Sequence, residues 1–448
     1  MRILFCLFIL LCTPIIANAQ ERVLDIQEVV SASGIKAWLI EDESLPIISL
    51  EFSFKGAGSI NESLDQQGVS KLLSNMLDEG AGDLDSQAFQ KALSDHSISL
   101  SFSGSRDHFG GQVKTLSRHK DKAFNLLSMA LSSPRFDSKP LERMKKSNIS
   151  RIKSSLTDPD WIAARLQNDL IYKGHPYAQN SGGTISTLEL ISADDLRAYK
   201  DKYLTRNRLI VSAAGDIDAK ELALILDQIF QSIPENELSH KEVPFKPQTG
   251  TYLYSKDIPQ TIIEISYPAF DRNDPDYYAA QVFNYIFGGG GFGSRLMEEV
   301  REKQGLTYGI YSGFSFLDQA QNLSISTSTQ NDKVDDVLKI INQEIEKIQN
   351  TPVGGDELQN AKDYLIGSVP LTLTSTDKIS GTALGMLSNA RPIDYLDTYG
   401  DKIGAITSED IQRVARRILI KENQTIVFVG QPQSAIKTNA ITEIPNVQ

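Results

Sequence analysis

The feature that most constrains the fold of this chain is an internal repeat. The segment that begins at Ile191 and closes at Gly215 has a counterpart 215 positions later, which begins at Ile406 and closes at Gly430. In both copies a Ser or Thr precedes acidic residues, which is typical of the first turn of a helix, and an apolar run typical of a strand follows. We therefore predict an internal duplication of roughly 200 residues.

The repeat and the length of the chain both indicate two domains, because 448 residues are too many for one ordinary hydrophobic core. Strand and helix patterns occur in the same order in each half. We therefore predict the α+β class, with two tandem homologous domains, each a mainly antiparallel sheet with helices packed on it. The predicted segments are a first domain at 20–233, a proline-punctuated linker at 234–250, a second domain at 251–432 and a loosely held tail at 433–448.

The N-terminus has the composition of an export signal. Arg2 supplies a positive charge, an apolar run follows, and Ala17 and Ala19 match the small-x-small pattern of a cleavage site, so residues 1–19 are predicted to be a cleaved signal peptide. The apolar run is too short to span a bilayer. Cys12 lacks the small neighbours of a lipid-attachment site, which makes a lipoprotein the weaker alternative. In a Gram-negative cell we expect a periplasmic protein with no membrane anchor.

Composition excludes several classes of site from the exported chain. Both cysteines, Cys6 and Cys12, lie in the predicted signal peptide, so no disulfide, thiolate nucleophile or cysteine-bound zinc is expected. The formal charge of the whole chain is −12, and no basic run is interleaved with aromatic residues. Nucleic acid is therefore not an expected partner.

A glycine-rich segment in the second half carries the most functional information. Four consecutive glycines precede a helical pattern at 294–304, a helix stop at Gly305 and a strand pattern at 307–311, with Ser294 in position to cap the helix. Glycines allow positive φ and close approach of a backbone to a partner, so we interpret the four as a substrate-binding loop. These glycines are Gly288, Gly289, Gly290 and Gly291.

Arg301 and Tyr308 flank the predicted helix-to-strand turn and could converge on one spot. The alternative from spacing alone is a structural loop in which Arg301 pairs with Glu298 and Tyr308 belongs to the core. A phosphate-binding loop is a third interpretation, but the Gly-x-x-x-x-Gly-Lys-Ser/Thr pattern is missing, because Arg295 follows Ser294.

One further segment, His175-Pro176-Tyr177 followed by Gly182-Gly183-Thr184, completes a family resemblance. Together with the duplication and the glycine-rich segment, it makes the whole mature chain similar to the short, two-domain zinc peptidases of the M16 (pitrilysin-like) family. The resemblance implies a fold like that of the mitochondrial processing peptidase. It also implies that two such two-domain units close around a peptide chamber, with a glycine-rich loop near its mouth.

The same resemblance exposes a missing metal site. Active members carry His-x-x-Glu-His on the first helix of the first domain, where the histidines bind zinc and the Glu activates a water. The matching helix here is predicted at 67–78, where Lys71 and Asn75 replace the histidines and Ser74 replaces the Glu. Lys repels zinc, an Asn amide is a poor ligand, and Ser is no base at neutral pH. The third ligand, implied as a Glu near 147–153, is also missing, so we expect no metal in this chain.

The histidines offer no helical substitute for that site, because no two are three or four residues apart. A site assembled from His96, His108 and His119 by hairpin folding is the alternative that spacing leaves open. We interpret His175, in the His-Pro-Tyr loop, as structural. The five histidines are His96, His108, His119, His175 and His240.

The other half of the family's constellation is present. In the family an Arg and a Tyr seven residues apart in the second domain hydrogen-bond the substrate backbone near the metal, and Arg301 and Tyr308 match them. The resemblance therefore implies a non-catalytic subunit of a heterodimeric, exported metallopeptidase. A partner bearing His-x-x-Glu-His would supply zinc, and this chain would bind a peptide or unfolded segment by strand addition and stabilise the transition state. The alternative is a structural or peptide-binding homologue without a proteolytic role.

Overall fold

Two six-stranded sheets form the framework of the protein, one in each half of the chain. The computed structural model describes residues 22–236 and 242–448. The predicted signal peptide and His240 lie outside these residues. Both sheets are mixed but mainly antiparallel, and helices pack on them, which confirms the predicted α+β class with two sheet domains.

The first half, as far as residue 236, begins with three strands and ends with a strand that is followed by one helix. Its strands are β1 (Gln27–Val30), β2 (Lys36–Glu41), β3 (Ile47–Lys55), β4 (Ser99–Gly104), β5 (His108–Leu116) and β6 (Leu209–Gly215). Its helices are α1 (Val69–Ser74), α2 (Ser86–Asp95), α3 (Lys120–Ser132), α4 (Ser138–Ser155), α5 (Pro159–Ile171), α6 (Ile185–Leu190), α7 (Ala193–Tyr203) and α8 (Ala219–Phe230).

The second half, from residue 250 onwards, has a similar order, but it begins with two strands and ends with a strand in place of a helix. Its strands are β7 (Gly250–Ser255), β8 (Gln260–Pro268), β9 (Ile310–Phe316), β10 (Gln321–Gln330), β11 (Thr425–Gly430) and β12 (Asn439–Ile441). Its helices are α9 (Tyr277–Asn284), α10 (Val334–Asn350), α11 (Gly355–Gly367), α12 (Thr376–Ser388), α13 (Tyr395–Gly404) and α14 (Ser408–Ile418), with π-helical turns at Tyr285–Gly289 and Met297–Glu302.

Five strands of each sheet share one topology, whereas the outermost strands differ, because β1 is antiparallel to β2 and β12 is parallel to β7. The strand order is β1-β2-β6-β3-β5-β4 in the first sheet and β12-β7-β11-β8-β10-β9 in the second. In each sheet the last long strand, β6 or β11, is parallel to one neighbour and antiparallel to the other. Gly215 and Gly430 end these strands with φ of +116° and +148°, which Gly adopts far more readily than other residues. The repeat found in the sequence is therefore also a repeat of structure.

The repeated sequence signal corresponds to two equivalent helix starts. Ser192 caps α7 and Thr407 caps α14, and each forms a capping box with an Asp three residues later, Asp195 and Asp410. The hydroxyl accepts a hydrogen bond from the Asp amide, while the carboxylate accepts one from the cap amide.

Each half places one helix on the outer face of the other half's sheet. Helix α5 packs on β8 and β11, where Ile162 and Leu166 share a buried cluster with Val427. Helix α12 packs on β3 and β6, where Met386 joins a cluster that includes Trp38. The two halves are therefore joined through two apolar interfaces related by the duplication.

The expectation of a loosely held tail is wrong. Strand β12 lies parallel to β7 and completes the second sheet, while Val447 is buried in the core of the first half. The carbonyl of Val447 accepts a hydrogen bond from the Ile185 amide at 3.2 Å. The tail has no helical or strand periodicity because most of it crosses between the halves as extended chain.

Candidate functional site

The helix that corresponds to the zinc motif is shorter than predicted. Helix α1 begins at Val69 because Gly68, with φ of +89°, is outside the helical region, and it ends at Ser74 rather than at residue 78. The carboxylate of Glu62 holds its first turn by accepting hydrogen bonds from the Gly68 amide at 2.7 Å and the Ser70 amide at 2.9 Å. Burial raises the pKa of Glu62 to about 7, against the lowering effect of these hydrogen bonds.

Lys71 and Ser74 lie in the last turn of α1, and Asn75 follows as its C-terminal cap. The Ser74 hydroxyl donates to the Lys71 carbonyl at 2.8 Å, so it is occupied within the helix. Asn75 accepts a hydrogen bond at Oδ1 from Asn148 Nδ2 at 3.1 Å. Burial lowers the pKa of the Lys71 ammonium, and the charge of Arg151 lowers it further.

Helix α4 supplies two further residues of this site, Asn148 and Arg151. Both fall within residues 147–153, where the family resemblance implies a Glu and sequence reasoning names no other residue. Asn148 is buried against α1, and Arg151, one helical turn later, is exposed. The sequence signal that could have identified them is the presence of polar residues on two helices that pack against each other.

The residues at this site do not fit zinc. Two amides, a hydroxyl already bonded to the backbone and two cationic side chains offer neither the charge nor the donor set that zinc requires. Across residues 22–236 and 242–448, no group of three or more His, Cys, Asp or Glu side chains is arranged to hold a metal.

The alternative histidine site is only partly assembled. The rings of His96 and His119 meet edge to face, with centroids 5.2 Å apart, and Arg118 Nε lies 3.1 Å from His119 Nε2. His108 lies elsewhere, where its Nδ1 accepts from the Gly56 amide and its Nε2 lies 3.8 Å from Asp318. The three residues therefore form no common site.

Most of the glycine run is required by the packing of the chain itself. A side chain at Gly288 would lie 2.6 Å from the Ser312 hydroxyl, one at Gly290 would lie 2.6 Å from the Tyr285 carbonyl, and one at Gly289 would collide with Asn284. Gly291 differs, because it has φ of +59° and open space around its missing side chain. Internal packing therefore explains Gly288, Gly289 and Gly290, and the interpretation of the run as a substrate-binding loop stays a prediction.

Arg301 lies at the end of the π-helical turn with its guanidinium over the ring of Phe292, 4.4 Å from the centroid. Its carboxylate neighbour is Glu302 at 3.6 Å, so the alternative in which Arg301 pairs with Glu298 is not found. Lys303 contacts Glu298 instead, at 2.9 Å. The π-helical turn changes the angular spacing of side chains, which explains why this alternative, based on α-helical spacing, does not occur.

Ser294 does not cap the following helix with its side chain. Its hydroxyl donates to the Gly291 carbonyl at 2.7 Å, and its backbone carbonyl accepts from the Glu298 amide at 3.0 Å. The side chain therefore closes the glycine turn. It holds Phe292 in an exposed position, with 67% of the residue accessible to solvent.

The turn between the helix and β9 presents Tyr308 to solvent. Gly305 donates to the Arg301 carbonyl at 2.8 Å and has φ of +63°, as its predicted role as a helix stop requires. The strand begins at Ile310 rather than 307, because Thr307 Oγ1 accepts from the Gly309 amide and forms a turn. Tyr308 is 85% exposed, which excludes the alternative that it belongs to the core.

Arg295 is committed to a structural ion pair. Its Nε and Nη2 donate to the two carboxylate oxygens of Glu357, each at 2.7 Å. The pair lines a cavity of ≈ 810 Å³ beside the glycine segment. Glu298, Glu299 and Glu344 also line this cavity. This carboxylate-rich wall disfavours a phosphate, in agreement with the missing phosphate-loop pattern.

The His-Pro-Tyr loop connects the two halves. The buried hydroxyl of Tyr177 donates to Asp107 and accepts from the Gln319 amide at 3.2 Å, and His175 Nε2 lies 3.1 Å from the Gln319 side chain. Asp107 also accepts from the Asp318 amide at 3.1 Å. These contacts join the β4–β5 turn to the β9–β10 turn, which supports a structural role for His175.

The candidate residues therefore form two separate groups. Lys71, Ser74 and Asn75 lie in the first half, whereas Arg301, beside the glycine turn, and Tyr308, in the turn before β9, lie in the second. Within the described residues, no hydrogen bond or ion pair joins one group to the other.

Family models match most of the chain. Residues 54–183 match the model described as Insulinase (Peptidase family M16), and residues 190–365 match the model described as Peptidase M16 inactive domain. In the described part of the chain, no helix has the length and apolar character needed to cross a membrane.

Similar proteins extend over nearly the whole chain. The non-peptidase homolog YmxG of Helicobacter pylori is 28% identical over 380 residues, which are 83% of this chain and 86% of the relative. An uncharacterized zinc protease YmxG of Bacillus subtilis is 24% identical over 368 residues, 82% of this chain and 89% of the relative. A crystal structure of a peptidase M16 inactive domain from Pseudomonas fluorescens has a TM-score of 0.86 at 28% identity, covering 92% of this chain and 100% of that one.

Proposed function

Because this chain belongs to the peptidase M16 family and is of its inactive type, we propose that it is the non-catalytic subunit of a heterodimeric, exported M16 metallopeptidase. The supporting observation is the contrast between its two candidate sites. The position of the zinc motif is filled by Lys71, Ser74 and Asn75, whereas Arg301 and Tyr308 remain accessible beside the glycine turn.

The partner in this proposal is an M16 subunit that carries His-x-x-Glu-His with its zinc ion and general base. Arg301 and Tyr308 of this chain would donate hydrogen bonds to the substrate carbonyl as negative charge develops on it. One such donor is typically worth about 10²–10³ in rate. The ring of Phe292 beneath the guanidinium limits the orientations of Arg301, so less conformational entropy is lost when substrate binds.

The substrate in this proposal is a peptide or unfolded segment in extended form. Strand β9 is an edge strand of the second sheet, begins two residues after Tyr308, and carries the half-exposed Tyr311. An extended peptide added to this edge would be held by main-chain hydrogen bonds, which tolerate many sequences. The exposed rings of Phe292, Tyr308 and Tyr311 would contact its side chains.

A reconstitution experiment tests the subunit role. The mature chain is co-expressed with a His-x-x-Glu-His M16 subunit from the same genome, and hydrolysis of fluorescently labelled casein is measured for each chain alone and for the complex. Only the complex should be active. Arg301→Ala or Tyr308→Phe in this chain should lower kcat by about 10- to 10³-fold, whereas the surface variant Arg118→Ala should not.

Two results would contradict the subunit role. Zinc-dependent hydrolysis by this chain alone would show that it is a complete enzyme. Full activity of a complex containing Arg301→Ala would show that the pair does not act on substrate. Cell fractionation tests the export part of the proposal, because the mature chain should be found in the periplasm with residues 1–19 removed.

A structural or peptide-binding role without proteolysis is the second candidate. It is favoured by the name of the Helicobacter pylori relative, which is a non-peptidase homolog. The two roles differ in one measurable respect, since a purely structural or binding protein would confer no hydrolysis on any zinc-bearing relative. Peptide affinity of the isolated chain, measured without metal, would then support the binding role.

A further inference from the structure

The residues that occupy the position of the zinc motif form a ladder between α1 and α4. Asn75 and Asn148 form one rung through their hydrogen bond of 3.1 Å. Lys71 lies four residues before Asn75 in α1, and Arg151 lies three residues after Asn148 in α4, so both basic side chains lie about one helical turn from the amide pair. The lowered pKa of Lys71 agrees with this arrangement, because the charge of Arg151 contributes to the shift.

Neither cation at this ladder has a counterion in the part of the chain that the structure describes. No carboxylate lies within 4.0 Å of Lys71 Nζ or of the Arg151 guanidinium, and neither side chain takes part in a hydrogen bond there. Of the other basic residues of α4, Arg143 contacts Glu79 and Lys145 contacts Glu142, whereas Lys139, Lys146 and Lys153 have no ion pair or hydrogen bond among the described residues. Arg151 differs from these three lysines because its charge acts on Lys71 where α4 meets α1.

Helix α4 as a whole is strongly basic. Its sequence contains six basic residues and one acidic residue, in a chain whose formal net charge is −12. Two neighbouring cations, one of them partly buried, repel each other unless an anion lies between them. Asn75 adds a neutral donor, because its Oδ1 is bonded to Asn148 and its Nδ2 has no partner within the described residues.

We propose that Lys71, Arg151 and Asn75 form a binding site for one carboxylate of a peptide, either the C-terminal carboxylate or an Asp or Glu side chain. A guanidinium can bind the two oxygens of a carboxylate side by side, while an ammonium and an amide N–H can contact the same group from other directions. The position that attracts a metal cation in active relatives thus attracts an anion here. This inference goes beyond the proposed subunit role, because it requires no partner chain.

Peptide binding to the mature chain alone tests the proposal by fluorescence anisotropy. Three labelled peptides share one unstructured sequence: one has a free C-terminal carboxylate and no acidic side chain, the second is its C-terminal amide, and the third is that amide with one internal Asn replaced by Asp. The free acid, the Asp peptide or both should bind about tenfold more tightly than the plain amide. Which of the two does so identifies the source of the carboxylate.

Amino-acid variants test which residues cause the preference for a peptide that carries a carboxylate. Lys71→Met or Arg151→Gln should abolish the difference between the peptides, whereas Lys153→Met, which removes the same charge from an exposed position of α4, should preserve it. Because Lys71→Met could act by unfolding α1, Lys71→Glu provides a gain-of-function control. It should reduce the preference for the carboxylate and increase affinity for an amidated peptide with an added Lys.

Two outcomes would overturn the proposal. These are equal affinity of the native chain for all three peptides, and an equal loss of preference in Lys153→Met, which would indicate a diffuse charge effect of α4. The test is independent of the reconstituted peptidase. A carboxylate preference in the isolated chain without any activity of the complex would reject the subunit role and retain this site.

Discussion

Tyr177 shows how one buried hydroxyl contributes to the contact between the two halves. It is fully buried, donates to Asp107 in the first half and accepts from the Gln319 amide in the second. Burial and the bond to Asp107 both raise the pKa of Tyr177 far above its ordinary value, so its proton is retained throughout the physiological range. The sequence identified this residue only as part of a family segment, because its two partners are distant in the chain.

We expect Tyr177→Phe to lower the free energy of unfolding by about 2–3 kcal/mol. The substitution keeps the ring but leaves the buried Asp107 carboxylate with one donor fewer and the Gln319 amide without an acceptor. Urea unfolding followed by circular dichroism measures the change. Tyr311→Phe, at an exposed position, should change stability by less than about 0.5 kcal/mol. A similar loss in both variants would contradict the assigned role of Tyr177.

The site residues differ in how far sequence could predict them. Lys71, Ser74 and Asn75 were identified because a known motif gave their positions. Asn148 and Arg151 could not be predicted in this way, because the family motif specifies a Glu within residues 147–153 and gives no reason to expect an amide or a guanidinium there. The exposed position of Tyr308 could not be derived from its neighbours, since the turn at Thr307 delays the start of β9.

At the scale of single elements, the sequence predicts regular helices better than interrupted ones. Helices α7 and α14 are found where their capping signals place them. The π-helical turn at Tyr285–Gly289, in contrast, lies where the glycine segment packs closely on Ser312 and Asn284. Packing at this distance depends on the tertiary fold, so local sequence patterns do not report it.

The two equivalent helix caps should have equal energetic value. Ser192→Ala and Thr407→Ala each remove a hydroxyl that accepts from the N3 amide, and each should lower the free energy of unfolding by about 1 kcal/mol. Urea denaturation with a constant m-value checks this. Ser147→Ala, at an exposed position of α4, is the control and should have little effect. A loss in only one of the two cap variants would show that the duplicated caps have diverged in function.

At the scale of the whole molecule, the duplication places a Glu under each helix that packs on the other half's sheet, α12 and α5. Glu51 is the fifth residue of β3 and Glu264 the fifth residue of β8. Burial raises the pKa of both, and an Asp of the facing helix raises it further: Asp377 of α12 for Glu51 and Asp160 of α5 for Glu264. A hydroxyl donor opposes the shift in each case, Ser380 for Glu51 and Ser326 for Glu264.

Glu264 should make stability depend on pH. Its pKa is about 7 in the folded chain and near its ordinary value of 4.5 when unfolded, so the folded state binds the proton more tightly. The contribution of the Glu264 carboxyl to the free energy of unfolding is therefore fully present below about pH 4.5 and is lost as the pH rises through 7. Glu264→Gln should raise the free energy of unfolding at pH 8 by about 1–3 kcal/mol and leave it unchanged at pH 4.5.

Thermal unfolding from pH 4.5 to 8 measures this effect in the native chain and the variant. Glu443→Gln, at an exposed position of the tail, removes the same charge and serves as the control. Parallel pH profiles for the native chain and Glu264→Gln would contradict the assignment of the pH dependence to this carboxyl.

The crossing of α5 and α12 determines how the chain can come apart. If the polypeptide were cut at residue 241, each fragment would have a sheet with one apolar face exposed to solvent. The apolar side of α5 or α12 would also be exposed, because the sheet on which it packs belongs to the other fragment. Residues 20–233 expressed alone should therefore aggregate, and mixing the two fragments should restore soluble protein. In the intact chain, calorimetry should record a single cooperative transition, as for an interlocked pair whose members cannot melt one at a time.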